Sequence, residues 1–178
     1  MLFLNWKLVR TYGGLALLIL TCAGAQQPNP HPPVTRLANT RDLAKYVGTY
    51  PCSNGLLKDP VLLSSLRKLL GRDYHAYREH MSFSGCGAIA KRDGFLLLDV
   101  SQLHVGGYTS LIFVRLSDGA PYLFWLKSTV AEKDWSFYGK RPIPDAVSQN
   151  VESELNTAWG HVAHFKVTGD TLEIVLNN

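Results

Sequence analysis

The chain has 178 residues, 46% hydrophobic and 18% charged, with a formal net charge of +4. That balance is ordinary for a globular protein. No basic run survives beyond the first residues, which excludes the electrostatic footprint of a nucleic-acid-binding protein.

Residues 1–25 read as a cleaved secretory signal. Lys7 and Arg10 precede an apolar run over residues 15–20, which closes on Ala23-Gly24-Ala25 and the polar Gln26-Gln27. The apolar stretch falls short of the roughly 20 residues that a membrane span needs, so the mature form is expected to have no stable span. Cleavage after Ala25 leaves 153 residues, and loss of Lys7 and Arg10 reduces the charge to +2. A chain of that length builds one domain burying about 68 to 70% of its unfolded surface. Leu20-Thr21-Cys22 offers an alternative, a lipoprotein processing site with Cys22 as the lipidated first residue, but Thr is unusual before such a cysteine. Export to the periplasm implies an oxidising compartment. Of the three cysteines only Cys52 and Cys86 remain after cleavage, and an even pair there reads as one disulfide.

Residues 26–40, with Pro28, Pro30, Pro32 and Pro33 and little apolar content, read as an extended linker. The folded domain is expected over residues 41–178, beginning with Leu43, Tyr46 and Val47. Asp59-Pro60 opens the clearest helix, since Asp caps free amides and Pro at the first position has no amide to waste. Leu62, Leu66, Leu69 and Leu70 give it one apolar face, and Gly71 ends it. A second short helix, capped by Asp73, carries Tyr74, Tyr77 and Met81.

From Ser82 the period shortens. Ala88-Ile89-Ala90, Arg92-Asp93-Gly94 and residues 95–100 predict strand, turn and strand, with Asp-Gly supplying the positive φ of a tight hairpin. Residues 108–116 and 122–127 predict a second hairpin around Ser117-Asp118-Gly119, with apolar runs that suit strands covered on both faces. Trp135, Phe137 and Tyr138 fall in a looser aromatic region. A later helix places Val147, Val151, Leu155, Ala158 and Trp159 on one face and Ser148, Glu152 and Asn156 on the other, with Gly160 after its last turn. On that reading Leu155→Ala destabilises and Asn156→Ala barely matters. Residues 162–167 and 171–176 close the chain as a hairpin. The sum is an α+β fold, an antiparallel sheet of hairpins flanked by helices.

Chemistry-bearing patterns are few. His161 and His164 are three apart in a predicted strand, and His75 and His80 five apart on a helix, so neither pair shares a metal. No Gly-x-Ser-x-Gly elbow occurs, Glu152 and Glu154 diverge on their helix, and Asp99 and Asp118 meet only if the fold brings them together. Gly106-Gly107 lacks the further spacing of a phosphate loop. No cofactor, metal site or catalytic constellation is expected, and the chain is not read as an enzyme. The remaining feature is the loop Gln102-Leu103-His104-Val105-Gly106-Gly107-Tyr108, in which Leu103 and Val105 flank one imidazole between two apolar strands.

Over residues 50–126 the chain resembles the Ivy family, inhibitors of vertebrate lysozyme, and their periplasmic relatives. The matching features are Leu56-Leu57-Lys58-Asp59-Pro60, the helix ending Leu69-Leu70-Gly71-Arg72-Asp73-Tyr74, the Asp93-Gly94 hairpin, the His-containing loop and the strand after it. In lysozyme-inhibiting members the loop reads Cys-Lys-Pro-His-Asp-Cys and its histidine enters the enzyme's cleft. Here Ser101, Gln102, Leu103, His104, Val105 and Gly106 occupy those positions, so His104 alone is retained. The resemblance implies an Ivy-like bacterial protein whose partner is a lysozyme or other muramidase, bound through Gln102 to Tyr108. An immunity or accessory protein against another envelope enzyme and a cell-wall-acting enzyme are the alternatives, and a homodimer is left open. A deep polar pocket with convergent carboxylates favours the enzyme, and a convex loop favours the inhibitor.

Overall fold

The computed structural model describes residues 36–81, 84–102, 109–127 and 134–177. The expected signal, residues 26–35 of the expected linker, and residues 103–108 lie outside them. The protein is an α+β fold in three layers. At the centre is a six-stranded antiparallel sheet. Its meander β3 (Phe95–Gln102), β4 (Thr109–Arg115), β5 (Pro121–Leu126) and β6 (Trp135–Tyr138) is completed on the β3 side by β1 (Ser84–Cys86) and β2 (Ala90–Arg92). Both short strands pair with β3, β2 with its first half and β1 with its second.

Alternation along the strands separates two cores. Leu96, Leu98, Val100, Ile112, Val114, Leu123 and Trp125 face one layer, made of α1 (Pro51–Asn54), α2 (Pro60–Leu70), α3 (Tyr74–His80) and the segment leading into them. Leu97, Leu111, Phe113, Phe124 and Leu126 face the other layer, where α4 (Asp145–Trp159) packs with a separate hairpin of β7 (Ala163–Thr168) and β8 (Thr171–Leu176). Strands β4 and β5 are therefore covered on both faces, which is why their sequences run apolar without alternation.

Local signals account for most of these elements. The Asp59 carboxylate caps α2 by accepting from the Val61 and Leu62 amides, and its other oxygen accepts from the buried Leu37 amide at 2.9 Å. Packing thus includes Leu37, ahead of the expected boundary at Arg41, and Asn39 forms a capping box with Asp42 on the 3₁₀ helix Thr40–Tyr46. Asp93 (φ 47°) and Gly94 (φ 80°) make the two-residue turn between Arg92 and Phe95, as that dipeptide predicts. The preceding strand starts at Ala90 rather than Ala88. Cys52 and Cys86 lie at disulfide distance, Cα to Cα 5.7 Å, tying α1 to β1.

Three expectations need correction. Asp73 does not cap α3, because the 3₁₀ turn Gly71–Asp73 runs straight into that helix and holds Asp73 in helical backbone (φ −81°, ψ −5°). A capping residue needs extended backbone to aim its oxygen at the free amides, and the Asp73 carboxylate instead accepts from the Tyr138 hydroxyl at 2.8 Å. The aromatic region at Trp135 is an edge strand, β6, paired with β5. On α4, Val147, Val151 and Leu155 are buried and the half-buried Trp159 packs against the same core, as expected, but Ala158 is exposed. Steps of four carry the buried stripe onward to 159 and leave 158 to one side.

The polar residues of α4 are the larger correction. Ser148, Glu152 and Asn156 each follow a buried residue by one position, about 100° around the helix at 3.6 residues per turn, so they flank the apolar face rather than oppose it. They meet the free edge of β7 and the turn after it: the Ser148 hydroxyl donates to the Gly169 carbonyl in the turn (2.6 Å), Glu152 accepts from the Val167 amide (2.7 Å), and Asn156 bonds the Phe165 backbone twice. The placement of Asn156 on a face away from the packing is thereby corrected. Gly160 follows α4 as expected but in right-handed backbone (φ −58°), where a side chain would collide with the Asn156 carbonyl.

Candidate functional site

The ladder pairs Ser84–Gln102, Ser101–Thr109, Thr109–Leu126 and Leu126–Trp135 all lie at one end of the central sheet. In sequence, residues 103–108 lie between β3 and β4 and residues 128–133 between β5 and β6. Of the expected contact residues, Gln102 ends β3 with its backbone paired to Ser84, while Leu103, His104, Val105, Gly106, Gly107 and Tyr108 lie outside the described residues.

What the structure does describe is the stem from which this connection leaves. Period two along β3 puts Asp99 and Ser101 on the same face as Phe95 and Leu97, and the hairpin register brings Thr109 opposite Ser101. The Ser101 and Thr109 hydroxyls are 2.9 Å apart, and Ser101 donates to Asp99 Oδ1 at 3.2 Å. Across a small hollow of about 90 Å³, α4 supplies Glu154, Leu155, Ala158 and Trp159. Glu154 is itself fixed by an ion pair with Arg92. Burial pushes the Asp99 carboxyl above its ordinary range, and the Glu154 charge adds to the rise. Hydrogen bonds from Ser101 and Thr109 oppose it.

Asp99 and Glu154 are thus two carboxylates facing one hollow, an arrangement that sequence reasoning did not assemble. The signal was present in part, since a polar residue at an inward position of an otherwise apolar strand marks a site with a partner. Glu154 could not be assigned to it without the packing of α4. Asp118, by contrast, sits in the β4–β5 turn with Arg115, far along the sheet from Asp99, which pairs with Leu111. Glu152 and Glu154 diverge, one to β7 and the other to Arg92. The hollow holds about three waters at roughly 30 Å³ each, far below the 300 to 1,000 Å³ of ordinary small-molecule sites.

On the other face of the same sheet end, the Tyr77 hydroxyl lies 3.0 Å from Ser110 Oγ, and Ser110 donates to the Val100 carbonyl. Burial pushes the Tyr77 phenol far above its ordinary value. His80 stands edge-on to Trp125, ring centroids 5.1 Å apart, and burial lowers its imidazole pKa. His75 points away to pair with Glu79 at 3.5 Å. Among the described residues no group of three or more His, Cys, Asp or Glu side chains is placed to hold a metal ion, and no helix is long and apolar enough to cross a membrane.

Comparison of the chain with protein-family models, with curated proteins and with solved structures gives no match.

Proposed function

We propose that this is an exported binding protein whose contact surface is the sheet end bearing residues 102–108, and that its target is a lysozyme or another muramidase. The observation that carries the reading is the stem: Ser101 and Thr109 clasp each other at 2.9 Å and are tied to Asp99, directly beneath the His-containing connection. Where the Ivy-like pattern has a cysteine, Ser101 here closes the base of the loop through hydroxyl bonds. A base ordered in the free protein leaves less conformational entropy to lose on binding. His104 then supplies an imidazole able to hydrogen-bond an acid group in a concave site.

Support for export comes from the basic and apolar pattern of residues 1–25 and from the Cys52–Cys86 pair at disulfide distance. Among the described residues the Asp99–Glu154 pair favours a cell-wall-acting enzyme instead, but the hollow that the two share, about 90 Å³, is far smaller than ordinary small-molecule sites. An immunity protein against a different envelope enzyme would use the same surface and differ only in its target.

The test is titration of the purified protein against c-type lysozyme and envelope muramidases, beside the variant His104→Ala. Inhibition is expected, weakened in the variant by about 1 to 3 kcal/mol, the range for leaving a buried partner unsatisfied. No inhibition of any of these enzymes overturns the reading. Inhibition untouched by His104→Ala moves the contact surface elsewhere.

A further inference from the structure

A cavity of about 320 Å³ opens among α1, the 3₁₀ turn Leu56–Lys58, α2 and α3, in the helical layer on the opposite side of the sheet from Asp99. Its walls include Leu63, Leu66, Tyr77 and Met81, and the charged residues that line it are Lys58 and Arg78, both exposed at the surface. The Tyr77 hydroxyl is already engaged by Ser110, so this residue offers the cavity ring surface rather than a polar group. Among the described residues no acidic side chain lines it.

Positive charge continues beyond the mouth. Arg78 also borders an open hollow with Arg67, Tyr74, His75 and Glu79, in which two guanidinium groups outnumber the one carboxylate and Arg67 stacks over Tyr74 at 5.1 Å. Of the nearby acids, Glu79 lies 3.5 Å from His75 Nδ1, and Asp73 accepts from Tyr138. An apolar chamber with a cationic mouth selects a ligand with one apolar end and one negative end. At about 30 Å³ per water-sized group, the cavity of about 320 Å³ holds ten or eleven heavy atoms.

We propose that this cavity binds a straight-chain fatty acid of about ten carbons, its alkyl chain against Leu63, Leu66, Tyr77 and Met81 and its carboxylate between Lys58 and Arg78. None of these residues is among the proposed contact residues 102–108, so this site stands or falls separately from the muramidase reading. Burial of each methylene is worth about a fourfold gain in affinity, and chain length is therefore the first thing the site should discriminate.

Calorimetric titration of the full chain with decanoate, below its micelle concentration, tests the assignment. Saturable one-to-one binding is expected, with butanoate and decyltrimethylammonium each at least tenfold weaker. Lys58→Gln combined with Arg78→Gln alters only exposed side chains and should weaken decanoate about tenfold. Leu63→Trp, at a half-exposed position, should fill the chamber and abolish binding. Absence of saturable decanoate binding, equal affinity for the cationic amphiphile or for butanoate, or decanoate affinity unchanged in the charge variant overturns the proposal.

Discussion

The carboxamide of Asn156 holds both backbone groups of Phe165, donating to its carbonyl at 2.8 Å and accepting from its amide at 3.0 Å. Phe165 is in β7, whose other side pairs with β8, so the side chain stands where a third strand would otherwise be. Ser148 and Glu152 continue the same substitution along the edge. Edge amides and carbonyls left unpaired next to a packed helix carry a desolvation cost, and an exposed edge invites pairing with another chain. Helix α4 therefore does two things at once, burying Val147, Val151 and Leu155 and closing a sheet edge with the adjacent polar stripe.

Asn156→Ala is accordingly expected to destabilise the protein by about 1 to 3 kcal/mol, since it removes two hydrogen bonds from partly buried backbone groups. Leu155→Ala should cost about 2 to 5 kcal/mol through lost burial and a residual cavity. Chemical denaturation of both variants checks the seam. An Asn156→Ala midpoint equal to that of the unaltered protein would show that water replaces the carboxamide without loss.

Asp99 supplies a pH prediction. Its folded pKa is raised, first by burial and then by Glu154, so the folded protein keeps this proton to a higher pH than the unfolded chain, whose ordinary value is 3.8. Above that value the unfolded state binds fewer protons, and stability falls as pH rises toward the raised folded pKa. Asp99→Asn removes this slope. Thermal unfolding should show the variant gaining stability over the parent at about pH 7 but not at about pH 3, below both pKa values. A difference independent of pH would mean that Asp99 gains as much from its hydroxyl partners as it loses by burial.

The Cys52–Cys86 pair gives the third prediction. Mass spectrometry of the non-reduced protein should show a mass lower by two hydrogens and a linked peptide pair. With a sequence separation of 34, chain-entropy reasoning gives the bridge about 3 to 4 kcal/mol, and a double Cys→Ala variant should lose that much. Two freely alkylatable thiols would remove the bridge from the account.

The sequence by itself determined the elements whose signals are local. Asp59-Pro60 starts α2 because both residues act on amides within one turn, and Asp93-Gly94 sets its hairpin because positive φ is a property of those two residues. Period two in β7 and the unbroken apolar runs of β4 and β5 likewise report how many faces are covered. Only the tertiary structure decided what the polar residues do. Asn156 looks like a solvated position, and Asp73 like a cap, until the neighbour that each meets is known: Phe165 nine residues on, and Tyr138 at a separation of 65. Asp99 and Glu154 likewise share a hollow although 55 residues separate them. Apolar burial is non-directional and leaves its period in the sequence, whereas a hydrogen bond or ion pair depends on one partner at one distance, which the packing of α4 and β6 on the sheet supplies.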